Sequence, residues 1–263
     1  MSWWLVLLLG LLQGITEFLP VSSSGHLALA QLLAEKLGGS FHQPGVVFDS
    51  MLHVGTACAI LFAERREILH WLRNRRSFLL LLVAGTLATG IFAFPLRHAA
   101  TEAFLKPRII GACLLLTGLL VLSTRWLGKG TTGEKDMKLY QALLVGLLQG
   151  LAIFPGLSRS GMTIAAGLGV GLKREWAARF SFLLSVPAIL GATFVDLLSH
   201  PEVLGTGSSV FWFAALPGAV VAGLTGYLAL GVVIRTVSSR VFDRFAWYCL
   251  PLGIIVLVWS WTG

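Results

Sequence analysis

The chain has 263 residues, of which 56% are hydrophobic and only 12% are charged, and its mean hydropathy is +0.82. Soluble domains carry about 25% charged residues, so this composition excludes the soluble class and predicts an integral membrane protein. The formal net charge of +8 would suggest a nucleic-acid partner in a soluble protein. Here the basic residues lie between apolar segments, where they orient the chain in the bilayer, and we expect no nucleic-acid partner.

The N-terminal apolar segment ends in Ala28-Leu29-Ala30, which imitates a signal-peptidase cleavage site. No basic residue precedes this segment and Glu17 interrupts it, so we expect it to be retained. The cysteines lie singly in apolar segments, without the spacing of a metal site or a disulfide framework. We expect all three to be packing residues: Cys58, Cys113 and Cys249.

A polar segment occurs twice in this apolar sequence. Residues 10–25 read GLLQGITEFLPVSSSG and residues 146–161 read GLLQGLAIFPGLSRSG, identical at nine of sixteen positions at a constant offset of 136. Duplicated polar breaks of this kind indicate a binding site near the membrane midplane. We predict a single membrane domain with three parts: repeat one at 1–124, a linker at 125–138 and repeat two at 139–263.

One apolar segment in each repeat is too short to cross a bilayer. A transmembrane helix needs about 20 apolar residues, whereas 25–37 and 161–171 are shorter and follow Pro/Ser/Gly breaks. We therefore interpret 1–37 and 139–171 as re-entrant helical hairpins, whose irregular tips require surrounding protein or water. The predicted fold is all-α, with two repeats of one hairpin and three transmembrane helices each. Charge counting alone does not distinguish this arrangement from ten spans.

Three crossings per repeat would insert the second repeat upside down relative to the first. The basic residues agree, because four predicted loops hold five, four, three and three of the twenty lysines and arginines: 64–76, 125–138, 173–179 and 235–244. The segments 38–46 and 199–209 hold none. By the positive-inside rule both termini lie outside. Inverted repeats would let the two hairpin tips meet near the membrane centre.

Glu17 is a carboxylate in an otherwise apolar helix. It follows Gln13 by four residues, so both side chains lie on one helical face. An unpaired carboxylate in the membrane costs about 3 kcal/mol, which favours a base or a cation ligand over a carboxylate satisfied by a neighbouring helix. Gln13 is a candidate substrate ligand, with helix packing as the alternative for it and for its counterpart Gln149.

Arg159 is the only lysine or arginine in a hairpin tip. Its planar guanidinium suits a phosphate oxyanion and stays charged when partly desolvated. The structural alternative is an ion pair with Glu17, and the two interpretations are compatible.

Both tips are rich in serine and run directly into short helices. Serine at a helix start ordinarily caps free N–H groups, but two helix N-termini aimed at one point also favour an anion such as phosphate. The candidate substrate ligands in these tips are Ser22, Ser24, Gly25, Ser158, Ser160, Gly161 and Thr163.

Several other polar residues lie in or near the apolar segments. Ser23 and His26 are candidates for attack on phosphorus and for proton transfer, and His26 has no counterpart in the second tip, where Met162 stands. Asp49 and His53, four residues apart, are interpreted as interhelical partners, with a lesser chance of a role at the site entrance. Two further residues are expected to mark a membrane boundary: Asp196 and His200.

The two motifs resemble those of the bacterial undecaprenyl-diphosphate phosphatases of the bacitracin-resistance family (BacA or UppP). LQGITEFLPVSSSGH, residues 12–26, is similar to the family's first motif, and PGLSRSGMT, residues 155–163, is similar to the motif that carries its arginine. The resemblance covers the full length. Gln13 departs from it, because many members have a second glutamate there.

The resemblance implies hydrolysis of the terminal phosphate of a C55 polyprenyl diphosphate in the bacterial plasma membrane, with Mg or Ca as a cofactor. It assigns catalysis to Glu17, Ser23, His26 and Arg159, and a divalent cation to Glu17. The expected partners are the lipid substrate and the bilayer, and the chain could also form a homodimer. A secondary transporter or a flippase for a lipid phosphate is the alternative function, since broken helices in inverted repeats are typical of that class.

Overall fold

The computed structural model describes residues 3–36, 46–74, 76–127, 129–199 and 211–262. These residues form eleven α-helices, and their only strand-like pairing is an isolated β-bridge between Thr132 and Leu172. The helices are α1 Trp3–Phe18, α2 Ser23–Lys36, α3 Val46–Ala63, α4 Arg65–Asn74, α5 Arg76–Ala103, α6 Pro107–Ser123, α7 Leu139–Leu151, α8 Arg159–Gly169, α9 Arg174–Ser199, α10 Leu216–Ser238 and α11 Ala246–Thr262. Short helical turns precede three of them, at Glu134–Asp136, Phe211–Ala215 and Phe242–Phe245.

Much of this helical structure is long and apolar enough to cross a membrane. Four stretches meet both conditions: Ser77–Ala103, Arg174–Ser199, Phe213–Ser238 and Phe242–Trp261. Four further apolar helical stretches are shorter: Trp3–Phe18, Phe48–Ala63, Pro107–Ser123 and Leu139–Leu151. Large side chains on the outer faces are exposed, such as Ile91 on α5 and Leu228 on α10. The chain is therefore an all-helical, multi-pass membrane protein whose outer apolar faces suit lipid.

The structure differs from the sequence prediction in two elements. The predicted loop 64–76 contains α4, because Ile68 and Trp71 lie on one helical face and pack inward while basic side chains face outward. The second element is α5: the apolar segment 77–96 predicts a helix that ends near Pro95, but α5 continues past this proline to Ala103, as membrane helices tolerate proline. His200, the predicted boundary residue, lies outside the described residues.

The two halves of the chain pack by exchanging helices. Helix α1 packs along α10, and α7, its counterpart at the offset of 136, packs along α5. Small residues allow this approach: a Cβ on Gly14 would overlap Ala222 and Thr225 of α10, and one on Gly146 would overlap Gly85 of α5. Helices α6 and α11, which are also counterparts, pack on each other. This exchange places the two polar breaks next to each other.

The largest buried cluster surrounds α8 and α9 and holds the end of α1. Phe18, the last residue of α1, packs edge-on against Phe182 of α9, with ring centroids 5.5 Å apart. An aromatic pair of this kind adds about 0.5–1.5 kcal/mol beyond burial. The contact fixes the end of α1 where Glu17 points into the protein.

Candidate active site

The two polar breaks contact each other directly. The Ser22 hydroxyl oxygen accepts hydrogen bonds from the backbone N–H of Gly25 at 3.2 Å and of Gly156, in the other break, at 3.0 Å. Ser160 Oγ donates to the Leu19 carbonyl at 3.2 Å. A Cβ on Gly25 would lie 2.9 Å from the Gly156 backbone, so this contact requires glycine. Ser22, expected to bind substrate, uses its oxygen here to join the two tips.

Glu17 lies at the centre of a buried polar cluster and is only 2% exposed at its side chain. Its Oε1 forms an ion pair with the Arg159 guanidinium from the second tip. Its Oε2 accepts hydrogen bonds from Gln13 Nε2 at 2.6 Å and from Ser23 Oγ at 2.7 Å. The structure thus brings together four predicted site residues from two motifs that are far apart in the sequence.

The remaining residues of the second tip mainly hold α8 in place. Ser158 caps α8 by accepting from the Gly161 N–H at 3.1 Å, and its own N–H donates to Thr117 Oγ1 of α6 at 2.9 Å. Thr163 Oγ1 donates to the Arg159 carbonyl at 2.7 Å. These contacts fix the helix start from which Arg159 extends.

Two hydroxyls assigned to substrate binding lie beside these groups. Ser24 Oγ is 3.4 Å from Ser22 Oγ, and Ser160 Oγ is 3.2 Å from Ser158 Oγ. Both therefore lie at the contact between the tips, one in the first turn of each short helix.

The His26 ring contacts the first tip and α11. Its Nδ1 is 2.8 Å from the Ser22 carbonyl oxygen and its Nε2 is 2.6 Å from Tyr248 Oη. A carbonyl only accepts, so Nδ1 carries the proton, and in the neutral ring Tyr248 therefore donates to Nε2. The two rings are stacked with an interplanar angle of 10°. Both ring nitrogens are thus engaged, and the proton-transfer role of His26 stays a prediction.

A small cavity adjoins the Glu17–Arg159 pair. It measures about 10 Å³ and is lined by Glu17, Phe18, Arg159, Ser160, Ser181, Phe182 and Ser185. A volume of this size has room for about one water molecule. The two serines of α9 were missed in the sequence because they belong to an apolar helix without a polar break. Their spacing of four residues, which places both on one face, was the only signal.

Polar residues of α3 face two different neighbours. His53 Nδ1 lies 2.9 Å from Gln13 Nε2 and 3.3 Å from Glu17 Oε2, so it belongs to the central cluster. Ser50 Oγ donates to Asp196 Oδ2 of α9 at 2.6 Å. Interhelical contacts of α3 were expected, but no sequence motif indicated that His53 touches Glu17.

The donor atoms fit a cation that is shared with a phosphate ligand. The described residues contain no group of three or more His, Cys, Asp or Glu side chains that could enclose a metal ion. Mg²⁺ in phosphate sites, however, is commonly held by one or two carboxylates together with substrate oxygens. Glu17 supplies one carboxylate, and the buried Gln13 Oε1 has no hydrogen-bond partner within the described part of the chain.

Fold and site define a multi-pass helical membrane protein with a carboxylate–guanidinium pair buried where two duplicated breaks meet. A sequence model of the family described as "Bacitracin resistance protein BacA" matches residues 6–255. The chain belongs to this family.

Curated relatives match almost the whole chain. Proteins named "Undecaprenyl-diphosphatase" from Desulfosudis oleivorans and Methanosphaera stadtmanae are 40% and 36% identical, and each match covers 97% of this chain and 96% of the relative. One of the same name from Carboxydothermus hydrogenoformans is 38% identical, over 98% of this chain and 97% of its own length.

Proposed function

We propose that this chain hydrolyses undecaprenyl diphosphate to undecaprenyl phosphate and inorganic phosphate, and so recycles the lipid carrier used in cell-wall synthesis and contributes to bacitracin resistance. The observation that carries the proposal is the buried pair of Glu17 and Arg159 at the contact of the two family motifs. Relatives of nearly full length are named for this diphosphatase activity. A transporter or flippase is therefore not favoured.

Arg159 binds the diphosphate in this proposal. The cavity beside it holds about one water molecule, so a diphosphate enters only when the guanidinium leaves Glu17 and pairs with phosphate oxygens instead. The first turns of α2 and α8 add N–H groups and helix dipoles. Charge concentrates on the phosphoryl oxygens in the transition state, so these positioned donors provide most of the acceleration.

Release of Glu17 from Arg159 frees the carboxylate to act as a base. Ser23 Oγ already donates to Glu17 Oε2 at 2.7 Å. In one route Ser23 attacks the terminal phosphorus, Glu17 takes its proton, undecaprenyl phosphate leaves, and water then hydrolyses the phosphoserine. In the other route water attacks phosphorus directly with Glu17 as the base. Trapping of labelled phosphate on Ser23 in a single turnover distinguishes the two routes.

A divalent cation, Mg²⁺ or Ca²⁺, belongs to the proposal as an expectation from the family. Glu17, with Gln13 Oε1 beside it, would hold the cation together with substrate oxygens. When bound, it would neutralise charge on the diphosphate. Loss of activity with a chelator and its return with added metal test this point.

The finer architecture also belongs to the proposal. We infer two inverted repeats, each with a re-entrant hairpin, in the bacterial plasma membrane with both termini outside. The exchange of helices between the halves and the contact of the two breaks support this arrangement. The polyprenyl tail would lie in lipid between helices. A homodimer stays a prediction, which the mass of the purified protein in detergent tests.

Phosphate release from a C55 lipid diphosphate by purified protein in detergent tests the function. Transport needs two compartments and hydrolysis does not, so this assay also separates the two classes. Glu17→Gln and Arg159→Met remove charges aimed at the reacting group, and each should lower kcat by about 100-fold or more. Thermal unfolding shows whether each variant is folded. A folded variant with near-normal turnover would refute the assigned roles.

A further inference from the structure

An imidazole from outside both motifs belongs to the Glu17 cluster. His53 lies within α3, and its side chain is 31% exposed, whereas that of Glu17 is 2% exposed. Its Nδ1 contacts both Gln13 Nε2, at 2.9 Å, and Glu17 Oε2, at 3.3 Å. Helix α3 packs on α1, which brings His53 against the face that carries Gln13 and Glu17.

The hydrogen-bond chemistry fixes the orientation of the Gln13 amide. An amide NH₂ is a pure donor, and at 2.6 Å from Glu17 Oε2 the amide oxygen could not replace it without placing two acceptors in contact. Gln13 Nε2 therefore faces Glu17 with one N–H and His53 with the other. Since Gln13 Nε2 donates, a neutral His53 accepts at Nδ1 and carries its proton on its own Nε2, and the 3.3 Å contact of Nδ1 with Glu17 Oε2 is then not a hydrogen bond.

This arrangement determines where Gln13 Oε1 lies. Both N–H groups of the amide are occupied, by Glu17 and by His53, so the position of Oε1 is fixed as well. That oxygen is buried and accepts no hydrogen bond from any described residue, which is costly unless a ligand supplies one. Without an acceptor at position 53 the second N–H would be unpaired, and the amide would rotate.

We propose that His53 is a positioning residue for the phosphatase reaction. By accepting from Gln13 at 2.9 Å, it orients the amide whose other N–H donates to Glu17 Oε2, and so holds that carboxylate in its reacting position. This inference rests on the proposed function. It assigns His53 no proton transfer and no contact with the reacting atoms.

Two substitutions separate the acceptor from the bulk of the side chain. Asparagine places its carbonyl oxygen at the position of Nδ1, whereas leucine keeps much of the volume and removes the acceptor. His53→Leu should lower kcat about tenfold with KM changed less than about twofold, because the lost bond disturbs the reacting geometry rather than tail binding. His53→Asn should restore most of kcat.

A double-mutant cycle shows whether His53 acts through Gln13. In a Gln13→Leu background, adding His53→Leu should lower kcat by less than about twofold, since the group to be positioned is already absent. A residue with only a structural role would cost the same factor in both backgrounds. Thr56→Val is the matched control. The Thr56 hydroxyl lies one turn along α3 and donates to the backbone carbonyl of His53 rather than to Gln13 or Glu17. Its removal leaves the imidazole in place, so kcat should be unchanged.

The outcomes separate this inference from the function on which it rests. A wild-type protein that releases no phosphate overturns both. If the wild type is active and folded His53→Leu has a normal kcat, only the role of His53 is overturned. The same holds if the losses in the double-mutant cycle are fully additive. If His53→Leu does not fold, His53→Gln replaces it. Its amide oxygen lies near the Nε2 position, so kcat should be low, and a value equal to that of His53→Asn contradicts the proposal.

Discussion

Ser22 combines a strained backbone with two buried hydrogen bonds. Its φ of 67° lies in the left-handed region, which costs a non-glycine residue roughly 1–2 kcal/mol. Its hydroxyl accepts from the N–H groups of Gly25 and Gly156, and each such group left unpaired in a buried site costs about 1–3 kcal/mol. The hydrogen bonds outweigh the strain, which explains a serine where the backbone alone would favour glycine.

Substitution of Ser22 should therefore destabilise in a graded way. Ser22→Ala keeps the strain and loses both bonds, so the free energy of unfolding should fall by about 2–4 kcal/mol. Ser22→Gly loses the bonds but relieves the strain, so its free energy of unfolding should fall by about 1–2 kcal/mol less than that of Ser22→Ala. Ser24→Ala is the control. Thermal unfolding in detergent checks the order, and equal stability of Ser22→Ala and Ser24→Ala would contradict it.

At the scale of helices, close approach of α1 and α10 depends on glycine. A Cβ on Gly14 would overlap Thr225 and the Ala222 carbonyl, and without water between them membrane helices associate mainly through such packing. Helix α1 also carries Gln13 and Glu17. The same contact that holds the fold therefore places half of the site.

Gly14→Ala should separate α1 from α10 and lower both stability and phosphate release. Overpacking of this kind costs about 1–3 kcal/mol. A methyl group on Gly90 of α5 would meet no atom of the described residues within 4 Å, so Gly90→Ala should be neutral or slightly stabilising. Thermal midpoints and turnover of the two variants check this. Equal effects of the two substitutions would show that stability and turnover do not depend on the close contact of α1 with α10.

The basic end of the helices contains a buried carboxylate outside the predicted spans. Glu64, between α3 and α4, is 5% exposed, and Arg179 Nη1 lies 3.5 Å from its Oε2. Burial raises the pKa of Glu64 above its ordinary value of 4.5, although Arg179 acts in the opposite direction. Arg179 also pairs with Glu67 and Glu175.

The raised pKa predicts a pH dependence of stability. The folded protein binds the Glu64 proton more tightly than the unfolded chain does, so this contribution is complete below pH 4.5 and is lost as the pH rises through the folded pKa. Glu64→Gln should lack this loss and be at least as stable as wild type at a pH of about 7.5. Arg179 keeps its other two carboxylates in the variant. The free energies of unfolding of wild type and Glu64→Gln, measured as a function of pH, check this prediction. Identical slopes for the two proteins would exclude the effect.

At the scale of the whole molecule, the charge distribution predicts the orientation of the chain. The linker 125–138 is basic, so the positive-inside rule predicts that it lies in the cytoplasm, and it predicts the outer side for Lys106, which follows α5 at the opposite end of that helix. Each half packs its first helix against a helix of the other half. The orientation of one half in the membrane therefore determines that of the other.

Side-specific labelling tests this orientation. In a variant with alanine at all three native cysteines, Lys106→Cys should react with a membrane-impermeant maleimide on intact cells, and Lys129→Cys should react only in inside-out vesicles. Phosphate release by each variant serves as the control for folding. Labelling of both positions from one side would refute the proposed orientation.

The sequence by itself determined the class of protein and the duplicated breaks, and it singled out Glu17 and Arg159, with their ion pair as one of two compatible interpretations. These follow from composition and from polar residues that are too costly to keep unpaired in an apolar chain, so local pattern was sufficient. The serine-rich tips also indicated that short helices start there, since a capping serine is a local signal, and Ser158 caps α8.

Only the tertiary structure decided which other side chains surround Glu17. His53 and Ser181 beside Glu17, and Tyr248 beside His26, belong to helices whose rotation about their own axes is set by packing against distant neighbours, and no local pattern encodes that rotation. The hydrogen bond from Gly156 to Ser22 was likewise not visible in the sequence, and the substrate-binding role of Ser22 stays a prediction. Contacts between helices remote in the sequence are a property of packing, so the sequence named the central pair and the fold selected the groups around it.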